Sequence, residues 1–287
     1  MTALADILHP MLHKPVPAAV QAVADHVRTH MGDACAILAY GSALRDASPE
    51  ETLVDLYVLT RSNAGTSASG LSRLACAIVP PNVYYAEARH LQHTVRTKYA
   101  VLSLPALEAK VQATVSNPYF WVRFAQPMRI VWTADTQVTA RLEAMIATAC
   151  GTAWANARGT TPGAAPAEQW IHLFQNTYRT ELRPESGSRA AGIVDANRGY
   201  YEAISAALPG TSPVTPNWSL RRIAGRALSV LRLAKASFTF QGGADYIAWK
   251  VKRHSGVTIE VTEFQRRHPL IAGVLLLPKL LRSGAVR

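Results

Sequence analysis

Apolar residues recur at helical spacing between Pro15 and Met31, where Val16, Val20, Val23 and Val27 share one face, and the spacing predicts an amphipathic helix. The pattern then changes period. Cys35 to Tyr40 is an unbroken apolar run closed by Gly41-Ser42, which reads as a buried strand ending in a tight turn. Thr52 to Thr60 is a second β-rich run with a single acidic residue, Asp55, in its middle. After a Gly/Ser/Thr-rich loop over 63–69, a helix is expected at 72–78, then strands at 82–86 and within 96–103. A helix at 104–115, a strand near 128–132 and a helix over 137–154 follow. The TTPGAAP stretch, Thr160 to Pro166, is the clearest linker. Beyond it the pattern predicts helices at 167–183, 188–207, 218–235 and 241–255, and a terminal segment over 262–283. The expected organisation is an α/β domain at 1–158, a helical domain at 159–260 and a basic amphipathic tail at 261–287.

Composition narrows the class. Of the 287 residues 49% are hydrophobic and 17% charged, which fits a chain with a sizeable buried core and excludes a disordered one. Charge is unevenly placed: residues 218–287 hold 13 of the 30 Lys/Arg and 3 of the 19 Asp/Glu. A localised basic surface implies an anionic partner. The same region carries short apolar runs, among them LIAGVLLLP. They fall short of the about 18 residues that read as a membrane span, but they suit an interfacial segment. A membrane surface with anionic lipid is therefore preferred to nucleic acid, and the expected location is the cytoplasm, peripheral on the inner face of a membrane. The N-terminal sequence lacks the pattern of a secretory signal. Cys35, Cys76 and Cys150 are far apart among apolar neighbours and are expected as buried, reduced thiols. The nine histidines are expected to form no metal set, and His90 and His93 read as a polar face.

Chemistry concentrates around the first turn. A strand, a Gly-Ser bend and a second strand bearing a carboxylate resemble the arrangement of nucleotidyltransferases. Gly41 permits close backbone approach to a phosphate, and Ser42 adds a hydroxyl. A carboxylate buried in an apolar strand costs several kcal/mol unless paired, so Asp55 calls for a partner or a metal such as Mg²⁺. Many nucleotidyltransferases carry Asp-x-Asp on this strand. Here the second position is Tyr57, which cannot ligate magnesium, so a further carboxylate has to come from elsewhere. Lys98, next to Tyr99 in an apolar strand, suits a triphosphate, with a snorkelling surface lysine as the alternative. Glu181 and Arg183, just before Pro184, read either as a metal or base position with a phosphate contact, or as members of surface ion pairs with Arg179 or Arg189.

The ordered series Tyr40-Gly41-Ser42, Val54-Asp55-Leu56, Val83-Tyr84-Tyr85, Thr97-Lys98-Tyr99-Ala100, Tyr119 to Met128 (YFWVRFAQPM) and Tyr178 to Arg183 (YRTELR), followed by Ile193-Val194 and Asn197, resembles the mitochondrial translocator-maintenance family of phosphatidate cytidylyltransferases. The resemblance spans roughly residues 36–255. It departs at Ala43 and Ala100, where the family has glycine, and at Glu181, where it has aspartate. It implies an α/β nucleotidyltransferase fold followed by a mainly helical domain with a basic amphipathic C-terminal segment. It also implies formation of CDP-diacylglycerol and pyrophosphate from CTP and phosphatidic acid. On that reading Asp55 and Lys98 are catalytic, Gly41, Ser42, Lys98, Tyr99 and Arg183 bind nucleotide, and Asp55 and Glu181 hold Mg²⁺. The alternatives are transfer to another lipid phosphate or a nucleic acid, and a non-catalytic membrane-docking relative.

Overall fold

The computed structural model describes residues 2–44, 53–181, 187–239, 248–249 and 262–263. Two helices, α1 (Thr2–Leu12) and α2 (Ala18–His30), precede strand β1 (Ala34–Tyr40). β2 (Leu53–Thr60), α3 (Gly70–Ile78), β3 (Asn82–His90), β4 (His93–Ser103), α4 (Leu104–Lys110), α5 (Trp121–Phe124) and β5 (Met128–Thr133) complete the first half. Helices α6 (Thr136–Thr160), α7 (Pro166–Tyr178), α8 (Gly187–Asp195), α9 (Arg198–Ala207) and α10 (Trp218–Thr239) follow. This is an α/β fold around one mixed five-stranded sheet in the order β3-β4-β2-β1-β5. β2 and β4 pair in parallel and every other neighbouring pair is antiparallel.

The apolar run of β1 is long because the strand sits between β2 and β5 and is covered on both faces. Alternation along the strands sorts two layers. Ile37, Ala39, Val54, Leu56, Val58, Val95, Tyr99 and Val101 face α2, where Val20, Val23, Ala24 and Val27 close one core. Leu38, Tyr57, Leu59 and Leu102 face the other way, onto α1, α6, α7 and α9. That second core runs without a break from the sheet to Trp154, Trp170, Phe174 and Tyr201. The expected linker at Thr160–Pro166 is thus a tight turn between two packed helices. Gly163 adopts φ 80° there, and Ala164 N–H donates to the Thr161 carbonyl.

Helix boundaries follow local chemistry. Ser69, Ser103 and Asp135 cap α3, α4 and α6 by accepting from the backbone N–H three residues on. The stretch expected as one helix over 188–207 is broken into α8 and α9 at Asn197, whose side chain donates to the Ile193 carbonyl and whose N–H donates to Val194. α1 is the element that the sequence reading lacked: Pro10 sits inside it, yet Leu4, Leu8 and Leu12 line a buried stripe. The expected helix at 241–255 falls almost wholly, and the tail at 261–287 all but Thr262 and Glu263, outside the described residues.

Candidate functional site

β1 ends at Tyr40, and the chain reverses through Gly41 with φ 86°, a backbone state that glycine adopts without penalty. A Cβ on Gly41 would stand 3.5 Å from Asp55 Oδ2, so the bend passes directly beside the carboxylate. This proximity is a consequence of register, since Tyr40 pairs with Asp55 across β1 and β2. Ser42 opens a 3-10 turn, Ser42–Leu44, and its side chain is exposed. Arg129 on β5 steadies that turn, donating to the Leu44 carbonyl at 2.9 Å and the Pro15 carbonyl at 2.6 Å.

The parallel ladder of β2 and β4 sets Lys98 opposite Asp55, with Nζ 3.4 Å from Oδ1. Thr97 Oγ1, donating to the Val54 carbonyl at 2.9 Å, locks this register from the other face. The two charged side chains are 25% and 30% exposed. Partly buried, the pair lies between an open surface pair, worth about 0–1 kcal/mol, and a dry one. On β3, Tyr85 lies across from Lys98; its hydroxyl donates to Glu87 at 2.6 Å, and Glu87 accepts from Arg96 at 3.0 Å. Burial first, and the Glu87 carboxylate second, push the Tyr85 hydroxyl well above its ordinary range.

Tyr99 is a correction. Adjacent strand residues face opposite ways, so Lys98 looks towards Asp55 while Tyr99 is buried in the α2 core against Tyr84, ring centroids 5.4 Å apart. Burial, with Tyr84 adding to it, pushes its hydroxyl up to about 12. Tyr99 supports the sheet and has no access to a nucleotide on the Asp55 face.

Glu181 has a partner that the sequence reading did not name. Both its carboxylate oxygens accept from Arg123 Nη2, at 2.7 and 2.9 Å, and the two side chains are 14% and 15% exposed. Arg123 also donates to the Tyr119 carbonyl at 2.8 Å and lies over the Tyr119 ring. Burial opposes its charge, but the Glu181 carboxylate, aided by Tyr119, Tyr57 and Tyr40, outweighs burial and holds the guanidinium protonated far above its ordinary range. Tyr57 joins the two centres: it stacks on Tyr40 and packs on Phe124, and its hydroxyl feels Arg123, Glu181 and Asp55. Burial above all drives the Tyr57 and Tyr40 hydroxyls upward. Arg123 was legible as an arginine set between Trp121-Val122 and Phe124-Ala125, where an unpaired charge would be expensive. Arg183 lies outside the described residues.

The basic helix α10 turns Arg221, Arg232 and Lys235 inward while Arg226 stays exposed. Gly225 brings it so close to the chain at Thr180 that a Cβ would stand 2.6 Å from the Thr180 carbonyl oxygen. Arg232 lies over the Tyr119 ring, 3.6 Å from its centroid, and donates to the Pro80 carbonyl. Lys235 donates to the Val79 and Pro81 carbonyls, both at 2.5 Å, and Arg221 donates to Asn156 at 2.7 Å. Burial lowers all three cations from their ordinary values, Lys235 to about 8. Leu220, Ile223, Val230, Leu231 and Leu233 are exposed instead. The amphipathic character expected at 218–235 is therefore real but partly inverted in its orientation.

Among the described residues no helix is long and apolar enough to cross a membrane. Also among them, the one trio of side chains close enough to share a metal ion is His9, His13 and Glu143, against the expectation that the histidines form no such set. No known family and no curated protein matches the chain.

Proposed function

We propose that the chain is a Mg²⁺-dependent nucleotidyltransferase, with CTP as donor and phosphatidic acid as acceptor. The observation that carries the reading is the meeting of three elements: the left-handed Gly41 bend, the Asp55 carboxylate beside it, and the Lys98 ammonium 3.4 Å from that carboxylate. The nucleotidyltransferase assignment rests on this geometry together with the motif order; the choice of CTP and a lipid phosphate rests on the family resemblance alone.

The residues present fit a magnesium site of the kind completed by substrate. Magnesium keeps several waters and takes one or two carboxylates plus phosphate oxygens. The missing side chain of Gly41 leaves Asp55 Oδ2 open on the side of the bend. Bound there, the ion would neutralise charge on the triphosphate. Asp55 would hold the ion, the Gly41-Ser42 backbone would lie along the phosphates, and Lys98 would exchange Asp55 for a phosphate oxygen. The acceptor's phosphate oxygen forms a bond to the α-phosphorus of CTP, the bond to the bridging oxygen breaks, and pyrophosphate departs. Such transfer needs positioning and charge compensation and no covalent intermediate. Glu181 is the counter-ion of Arg123, so Asp55 would be the chain's principal ligand to the ion. The exposed apolar stripe of α10 supports docking on a lipid surface, where the acceptor resides.

A non-catalytic reading draws on one observation: Asp55 and Glu181 each already have a cationic partner. Labelled CTP with phosphatidic acid vesicles and Mg²⁺ decides between the two. Lipid-soluble labelled product that vanishes with Asp55→Asn, while the folded state persists, is the expected result. Full turnover by Asp55→Asn removes the mechanism. Binding of Mg-CTP without product, read as a rise in melting temperature, favours the non-catalytic relative.

A further inference from the structure

We propose that His9, His13 and Glu143 form a site for a first-row transition-metal dication, best suited to Zn²⁺, that ties α1 to α6. His9 and His13 stand at i and i+4 on α1 and so project from one face of the helix. Their rings lie 4.3 Å apart, and both address the same atom: His9 Nδ1 is 3.0 Å and His13 Nε2 2.6 Å from Glu143 Oε1. The three ligating atoms all fall within 4.8 Å of one another. Zinc binds imidazole nitrogen and carboxylate oxygen at about 2.0–2.2 Å, and tetrahedral ligands at that length stand about 3.3 Å apart. The two contacts to Glu143, at 3.0 and 2.6 Å, are tenths of an ångström shorter than that separation, so the carboxylate has only to draw back slightly from the rings to admit an ion.

Two contrasts sharpen the assignment. His26 and His30 on α2 are also an i, i+4 pair with rings 4.3 Å apart, but His30 Nδ1 is taken up by the His26 carbonyl at 2.8 Å. No carboxylate joins that pair in a ligand trio among the described residues. The Asp55 region offers hard oxygen donors of the kind magnesium prefers, whereas two imidazoles and a carboxylate favour zinc and its neighbours in the transition series. The two sites are thus chemically separate, and this one is independent of the nucleotidyltransferase reading. Three protein ligands leave one coordination position for water or a further donor, as in open zinc sites.

The location gives the ion a consequence. α1 buries Leu4, Leu8 and Leu12 in the large core and rests against α6, while its polar side carries the two histidines at the rim. An ion bridging to Glu143 would add a cross-link between that helix and α6.

The test uses the full chain without an added histidine tag, dialysed against Zn²⁺ in one arm and Co²⁺ in the other. The expected result is one equivalent bound, a rise in melting temperature with Zn²⁺, and a cobalt visible spectrum of low-coordinate nitrogen–oxygen type. The double variant His9→Gln/His13→Gln loses all three signals, and its melting temperature without metal stays near that of the parent because both histidines are solvent-facing. His26→Gln/His30→Gln keeps them, as does Asp55→Asn. Absence of stoichiometric zinc in the parent, or zinc retained by His9→Gln/His13→Gln, overturns the proposal.

Discussion

The Arg123–Glu181 pair allows a quantitative test of what holds the second half of the molecule to the sheet. The perturbation is a double-mutant cycle of Arg123→Met, Glu181→Leu and both together. At 14% and 15% exposure the pair is nearly dry, and Arg123 Nη2 serves both carboxylate oxygens. Removing one member of such a pair strands the other charge and costs about 3–5 kcal/mol, and residual water access argues for the lower end. A chain of this size converts about 1 kcal/mol into roughly 2 °C of melting temperature, so each single variant should melt about 6 °C below the parent. The double variant replaces both charges with apolar bulk beside Tyr57 and Phe124, and isosteric replacement of a buried pair is often close to neutral. It should therefore recover most of the loss, giving a coupling of about 5 kcal/mol by calorimetry or urea titration. Additive losses, or single variants within about 1 °C of the parent, would falsify the view that Glu181 is there to neutralise a buried arginine.

Two further outcomes follow from packing and burial. Gly159 lies on α6 where a Cβ would stand 1.9 Å from the Val214 backbone carbonyl, so Gly159→Ala should cost about 1–3 kcal/mol through forced displacement of the 208–217 segment; an unchanged urea midpoint would show that the segment yields freely. Burial raises the Cys35 thiol and pushes Cys150 up to about 12, and all three thiols are buried. Since the thiolate is the nucleophile, iodoacetamide at pH 8 should leave the native chain unlabelled and modify three sites in denaturant; mass spectrometry showing rapid native labelling of Cys150 would contradict the packing around it.

Much of the sheet was readable from alternation and punctuation. The apolar run of β1, the Gly41-Ser42 bend, the lone Asp55 and the run holding Lys98 all fall where period and turn residues place them. The site's edges were harder. The Lys98-Tyr99 motif implied a shared role by resemblance, whereas period-two geometry sets the two residues on opposite faces. Arg123 was passed over although its apolar flanks required a counter-ion. The orientation of α10 could not be read, because Arg232 and Lys235 are satisfied by the Pro80, Val79 and Pro81 carbonyls, and backbone acceptors leave no trace in a side-chain pattern. The His9–His13 spacing was visible, but Pro10 between them argued against a helix, and Glu143 lies 130 residues from His13 along the chain.

The parallel pairing of β2 with β4 has a consequence for how the protein can fail. Slipping one strand by a single residue would swing Lys98 into the oily layer beneath α2 and expel Tyr99 into water. Misthreaded chains are therefore penalised by solvation, and a molecule that has buried its valines has, by the same act, set Lys98 beside Asp55.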